Sequence, residues 1–140
     1  MNYWIITVKE PCCGYILRGI KTMEMRKSVP PSLRIGDVIF IARKGCHGEI
    51  VGACRVVSII SKPVSFFCSN WLSAHRLGED ALYDYAGYPQ WLVGIGIKRM
   101  KLDTWCLTVR SFGYDKAPQW FYRINPAYYK STIERVLNTK

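Results

Sequence analysis

Short β-branched and aromatic runs, broken at close intervals by Gly, Pro and polar turns, dominate the first half of the chain. Tyr3–Val8 reads as a strand ending at Lys9-Glu10-Pro11. Pro11 suits the first turn of a helix, where its missing N–H costs nothing. Cys13, Ile16 and Leu17 then recur at helical spacing, and Gly19 supplies a left-handed stop, so a short helix is predicted over Pro11–Arg18. Thr22–Arg26 follows as a strand, and Val29-Pro30-Pro31-Ser32 interrupts the pattern. The Gly36-Asp37 pair marks a tight turn into the strand Val38–Ala42. Arg43–Gly48 is a connecting loop, and Glu49–Ile60, rich in Val and Ile, is predicted as a long central strand.

Beyond Phe66 the pattern changes. Trp71, Leu72, His75 and Leu77 predict one or two helical turns, and Glu79-Asp80-Ala81-Leu82 another, separated by Gly78. Trp91–Ile97 is apolar and extended, and Trp105–Val109 and Trp120–Ile124 are two further strand candidates. Asn125-Pro126 starts a C-terminal helix that gathers Tyr129, Ile133, Val136 and Leu137 on one face. There is no internal repeat, low-complexity segment or long linker. Six or so strands with two to four short helices predict a single α+β domain over residues 1–140, a small closed sheet with helices at its ends.

Composition sharpens this picture in three ways. At 140 residues and 49% hydrophobic, the chain can bury a core without staples. Lys and Arg total 20 against 10 Asp and Glu, a formal charge of +10, so the natural partner is a polyanion. That charge is spread along the chain, with modest clusters at Arg43-Lys44 and Lys98-Arg99-Met100-Lys101, which favours a basic surface on a folded body. The longest apolar runs fall far short of the roughly 18–20 residues of a membrane span, which predicts a soluble intracellular protein. Six cysteines show no C-x-x-C pair. They predict reduced thiols in a cytosolic or nuclear compartment, no zinc site, and Cys54 and Cys106 as small hydrophobes in strands.

The richest chemistry lies at Gly19-Ile20-Lys21-Thr22-Met23-Glu24-Met25-Arg26. On an extended backbone Thr22, Glu24 and Arg26 share one face while Met23 and Met25 pack on the other, and Lys21 stands at the strand entrance. Lys21 and Arg26 can grip phosphate while Glu24 accepts hydrogen bonds from a base edge or orients the cations. Equally, Lys21, Glu24 and Arg26 can neutralise one another as an ion cluster fixing helix to strand. As a catalytic device, a Lys21 lowered in pKa by burial and by Arg26 would act as base or nucleophile, with Glu24 shuttling a proton. The only histidines, His47 and His75, read as loop or helix-surface residues, which gives no support to a ribonuclease built on paired histidines. Aromatics accumulate in the second half. Trp91 and Trp120 are predicted in the core, and Tyr83, Tyr85 and Tyr88 on an exposed wall able to stack on unpaired bases.

The run from Ile6-Thr7-Val8-Lys9-Glu10-Pro11 through G-x-K-x-x-E-x-R at residues 19–26, then Gly36-Asp37-Val38-Ile39 and Ile50–Val57, resembles the ASCH domain, a branch of the PUA-like superfamily. The match is good over residues 3–60 and vague afterwards, where only the strand Trp91–Met100 is easily placed. This resemblance implies a β-barrel of five or six strands with flanking helices and a cleft lined by the G-x-K-x-x-E-x-R segment. It further implies RNA, single-stranded nucleic acid or a nucleotide as partner; the expected contacts are Lys21, Thr22, Glu24 and Arg26 of that segment together with the basic pair Arg43 and Lys44, and neither cofactor nor metal is expected. Some small bacterial members are amidohydrolases acting on N4-acetylcytidine, and others have been assigned ribonuclease activity. In the amidohydrolases a threonine stands where this chain has Glu24, although Lys21 and Thr22 match. The glutamate that completes their catalytic set has no aligned counterpart among Glu79, Asp80 and Asp84.

Overall fold

The computed structural model describes residues 1–138. Six strands form one sheet: β1 (Tyr3–Val8), β2 (Met23–Arg26), β3 (Val38–Arg43), β4 (Ile50–Pro63), β5 (Trp91–Met100) and β6 (Tyr122–Ile124). Their order across the sheet is β2-β5-β4-β3-β1-β6, and only the β1–β3 pair is parallel. Between β1 and β3 runs α1 (Cys12–Leu17), followed by β2, which crosses to the far edge. The helices α2 (Val64–Phe67), α3 (Leu72–His75) and α4 (Glu79–Ala86) connect β4 to β5, and α5 (Lys130–Leu137) closes the described chain.

Alternation along the strands sorts the core into three clusters. Trp4, Ile6, Val8, Ile39, Ile41, Cys54 and Val56 point to one side, where Cys13 and Ile16 of α1 cover them. Ile5, Val38, Phe40 and Ala53 point to the other, against Ile133, Val136 and Leu137 of α5. Met23 and Met25 turn away from Glu24 and Arg26 and pack on Val64 and Phe67 of α2 and Leu82 and Ala86 of α4. The two faces predicted for this strand are therefore present. The Gly-Asp turn also has a structural purpose. Buried Asp37 accepts hydrogen bonds from the backbone N–H of Asn2 and Arg34 and from the Trp4 indole, each at 2.9 Å, and so ties the start of β1 to that of β3.

The sheet does not close into the expected barrel. Strands β2 and β6 remain its edges, and side chains fill the gap between β2 and β1. Arg26 Nη2 donates to the Thr7 carbonyl at 2.8 Å, its guanidinium lies 5.9 Å from the Phe121 ring centroid, and the Trp120 indole donates to the Ser28 carbonyl at 3.0 Å. A four-residue β2 followed by Pro30-Pro31 offers too little backbone for a closing ladder.

Other expectations change for local reasons. Trp105–Val109 is not a strand. Leu107 N–H bonds back to Thr104, a single bridge joins Thr108 to Glu49, and Thr108 caps a 3-10 turn over Val109–Phe112. Cys106 is exposed within that turn region rather than buried in a strand. Trp91 and Trp120 are 46% and 44% exposed, because both rings lie at the sheet's margins with their indole N–H groups bonded to Ser61 and Ser28. The helices number five among the described residues, more than the two to four predicted.

Candidate nucleic-acid interface

Lys21 enters β2 from the turn that ends α1. That turn is fixed by the Ile20 and Lys21 N–H groups, both donating to the Tyr15 carbonyl. Only 2% of Lys21 is exposed. Its Nζ donates to the His75 carbonyl at 2.5 Å and stands 3.9 Å from Glu24 Oε1. Glu24 is committed elsewhere as well, since its Oε2 takes Arg26 Nε at 2.9 Å and Arg26 Nη2 at 2.7 Å. Burial depresses the pKa of Lys21 below the ordinary lysine value, and the Glu24 carboxylate opposes that shift. Of the two readings of this segment, the mutually paired ion cluster describes Glu24 and Arg26 well.

His75 is fully buried, contrary to its predicted place on a helix surface. Leu77 N–H donates to its Nδ1 at 3.0 Å, so Nε2 carries the proton and donates to the Phe67 carbonyl at 2.9 Å. Burial lowers its pKa, assisted by the Lys21 charge and opposed by the Phe67 bond. With both nitrogens engaged, His75 is a structural pin holding α3 to α2. His47 is exposed in the loop after β3.

A cavity of about 340 Å³ opens between the end of α1 and the start of β2, lined by Arg18, Gly19, Lys21, Thr22, Lys98 and Arg99 over a floor of Ile16, Cys54 and Ile97. Four basic residues line it, and among the described residues no Asp or Glu does. The sheet register explains this convergence. Beyond the Met23–Gly96 pair, Ile97 N–H donates to the Thr22 carbonyl at 2.9 Å, which sets Lys98 alongside Lys21. Arg99 Nη1 donates to the Leu17 carbonyl at 2.9 Å, which pins its guanidinium to the C-terminus of α1. Arg18 stacks over the Tyr15 ring at 5.5 Å, and Arg76 lies over the same ring at 5.8 Å. Burial pushes the Cys54 thiol up to about 12, so the floor is chemically inert.

Of the predicted site residues, Lys21 and Thr22 line this cavity, while Glu24 and Arg26 support it from within. Arg43 is half-buried near Glu10, which is 3.9 Å from its Nε, and Lys44 is exposed in the following loop; neither lines the cavity. Tyr88 is 96% exposed, Tyr85 carries Lys27 over its ring at 5.6 Å, and Tyr83 is half-buried. Glu79, Asp80 and Asp84 are exposed on α4 and do not line the cavity. Sequence reasoning missed Arg18, Lys98 and Arg99 as site residues. The Lys98-Arg99-Met100-Lys101 cluster was the available signal, and the antiparallel pairing that brings it to Lys21 was the missing step. Among the described residues, no group of three or more His, Cys, Asp or Glu is placed to hold a metal, and no helix is long and apolar enough to cross a membrane.

The described chain is an α+β domain whose six-stranded mixed sheet carries α1 on one face and a cavity lined by basic residues where the G-x-K-x-x-E-x-R segment begins. The chain belongs to the ASCH domain family, whose model matches residues 6–122. The crystal structure of ASCH from Zymomonas mobilis superposes with a TM-score of 0.80 at 14% identity, covering 96% of this chain and 95% of that one. A mutant of the Zymomonas mobilis protein superposes at 0.78 with 15% identity, covering 97% and 99%. A Pseudomonas syringae protein reaches a TM-score of 0.52 at 12% identity, covering 95% and 98%. At these identities the likeness establishes the fold. No curated protein sequence matches the chain.

Proposed function

We propose that this ASCH domain binds RNA, or a nucleotide-sized portion of it, in the cleft between α1 and the β2–β5 edge. One observation carries the reading: Arg18, Lys21, Lys98 and Arg99 line one cavity that, among the described residues, no Asp or Glu lines. Arg18, Lys98 and Arg99 are the phosphate contacts, and the exposed Thr22 hydroxyl faces sugar or base. Lys21 supplies charge from the wall, held in place by the Glu24–Arg26 pair. Arg43 and Lys44 add to the long-range positive field.

Binding of a short single-stranded RNA, followed by anisotropy across a salt series, tests this. Lys98→Ala and Arg99→Ala should each weaken binding and reduce the slope of log K against log salt by about 0.7, the value for one phosphate contact on a single strand. Unchanged affinity in both variants refutes the proposal. A second reading, hydrolysis of N4-acetylcytidine or a related modified nucleoside, rests on one feature, the buried Lys21 whose pKa is lowered beside a carboxylate. Release of cytidine that disappears in Lys21→Met would establish it, and no release would exclude it.

A further inference from the structure

Helix α3 lies across the entrance of β2 and has little stability of its own. Its four residues are too few to make a helix that stands alone, and Trp71, Leu72 and Ser73 are exposed. Trp71 before it and Arg76 after it both stand in the left-handed region, with φ of 62° and 61°, a conformation unfavourable for residues that carry a side chain. A short set of bonds ties it down. Thr22 N–H donates to the Ala74 carbonyl at 2.9 Å, and Lys21 Nζ donates to the His75 carbonyl at 2.5 Å. The His75 ring reaches the other way, donating from Nε2 to the Phe67 carbonyl and accepting at Nδ1 from the Leu77 N–H. One residue therefore serves both ends. Its ring anchors the segment, and its carbonyl holds the ammonium of Lys21, a residue of the basic cavity.

We propose that α3 is a pH-operated strap, closed over Lys21 while the His75 ring is neutral and released when that ring takes a proton, which frees the Lys21 ammonium to meet an anion in the basic cavity. The added proton sits on Nδ1, where it confronts the Leu77 N–H donor to donor and breaks that bond. It also puts a positive charge into a fully buried site next to Lys21. The groups facing the ring are the Phe67 carbonyl and phenyl ring of α2, the Asn70 backbone in the loop before α3, Lys21 at the entrance of β2 and the Leu77 N–H. Of these only Lys21 is charged, so the imidazolium meets a like charge, and parting His75 from Lys21 relieves the repulsion. Arg76, next in the chain, is turned onto the Tyr15 ring. Burial and the Lys21 charge hold the ring's pKa below 6.5, which puts release on the acid side of that value. The strap stands on these bonds alone, whereas the use of Lys21 by a bound strand rests on the RNA-binding reading.

Hydrogen exchange of the full chain, followed amide by amide between about pH 7.5 and about pH 5, tests the strap without any ligand. The Thr22 and Leu77 amides should be at least about tenfold less protected than those of Phe40 and Ile41 in the middle of the sheet, and insensitive to low concentrations of urea, as local opening requires. Their protection should fall on acidification by up to about tenfold per pH unit in the native chain and stay level in His75→Gln, which retains His47. Single-stranded RNA reads the delivery of Lys21: below the release pH the slope of log K against log salt should steepen by about 0.7 in the native protein, and in neither His75→Gln nor Lys21→Met. Thr22 and Leu77 amides as protected as Phe40 and Ile41, or protection independent of pH, overturns the strap in the native chain alone. A fall that persists in His75→Gln overturns His75 as its trigger. Release with an unchanged salt slope overturns the delivery of Lys21. RNA that binds at no pH overturns the proposed function, and the exchange result then still decides the strap.

Discussion

Glu24→Gln tests the ion cluster behind the cleft most directly, because it removes one charge with almost no change of shape. In the native protein the carboxylate accepts both Arg26 contacts, at 2.7 and 2.9 Å, and stands 3.9 Å from Lys21, all of them buried. Removing one partner of a buried pair costs about 3–5 kcal/mol because the opposite charge is left uncompensated, and the amide oxygen retained by glutamine places this variant near 3 kcal/mol. For a domain of this length that is a fall in Tm of about 12 °C. Lys21 can respond by shedding its proton, since burial already lowers its pKa and Glu24 is the largest influence opposing that shift. Without Glu24 the folded-state pKa drops further below the unfolded value of 10.5. Between those two values the unfolded chain binds more protons than the folded one, so stability rises with pH and the variant's deficit narrows. Urea unfolding followed by tryptophan fluorescence should show a larger deficit at about pH 6 than at about pH 9, and adding Lys21→Met should recover part of it at the lower pH only. A deficit below about 1 kcal/mol, or one independent of pH, would mean that the cluster is solvated and would refute this account.

Two further outcomes follow from buried polar groups. Because burial lowers the pKa of His75 from 6.5, its contribution to stability is complete above that value and declines as pH falls toward the folded-state pKa. The slope is at most about 1.4 kcal/mol per pH unit. Urea midpoints at pH 6.5 and one unit below should reveal it, and a slope that persists in His75→Gln would exclude His75 as its source. Asp37→Ala strands the Trp4 indole and two backbone N–H groups, so it should cost about 3 kcal/mol and shift the Trp4 emission, while Asp37→Asn costs less; near-equal stability of alanine variant and native protein would contradict the three observed bonds.

The elements that periodicity and turn chemistry determine locally were legible. Tyr3–Val8, the short helix ended by Gly19, the Gly-Asp turn and the long β4 all stand where pattern put them, and Met23 and Met25 do face away from Glu24 and Arg26. What escaped is what pairing over distance decides. Nothing local in Trp105–Val109 reports that Thr108 will cap a 3-10 turn, and no spacing rule reports that β2 will stop one strand short of a barrel. His75 was expected on a helix surface, yet its ring is buried and bonded on both nitrogens, to the Phe67 carbonyl and the Leu77 N–H, partners that lie outside its own helix. The site was half legible for the same reason. Lys21 and Thr22 are local to their motif, whereas Lys98 and Arg99 reach it only through the β2–β5 register.

The arrangement of charge also bears on why a buried cluster should serve an exposed cleft. Lys21, Glu24 and Arg26 together carry one net positive charge when Lys21 is protonated, and they carry it under a low-dielectric wall where salt screens poorly. Exposed cations such as Arg18 and Lys98 are screened and lose side-chain freedom when they grip a ligand. A cation already held by the His75 carbonyl and Glu24 loses nothing further on binding. Had Glu24 pointed into the cavity it would have cancelled Lys21 and repelled phosphate. Turned inward onto Arg26, it offsets one of the two buried cations and leaves one net positive charge behind the cavity wall, and the same Arg26 that it holds ties β2 to β1 through the Thr7 carbonyl.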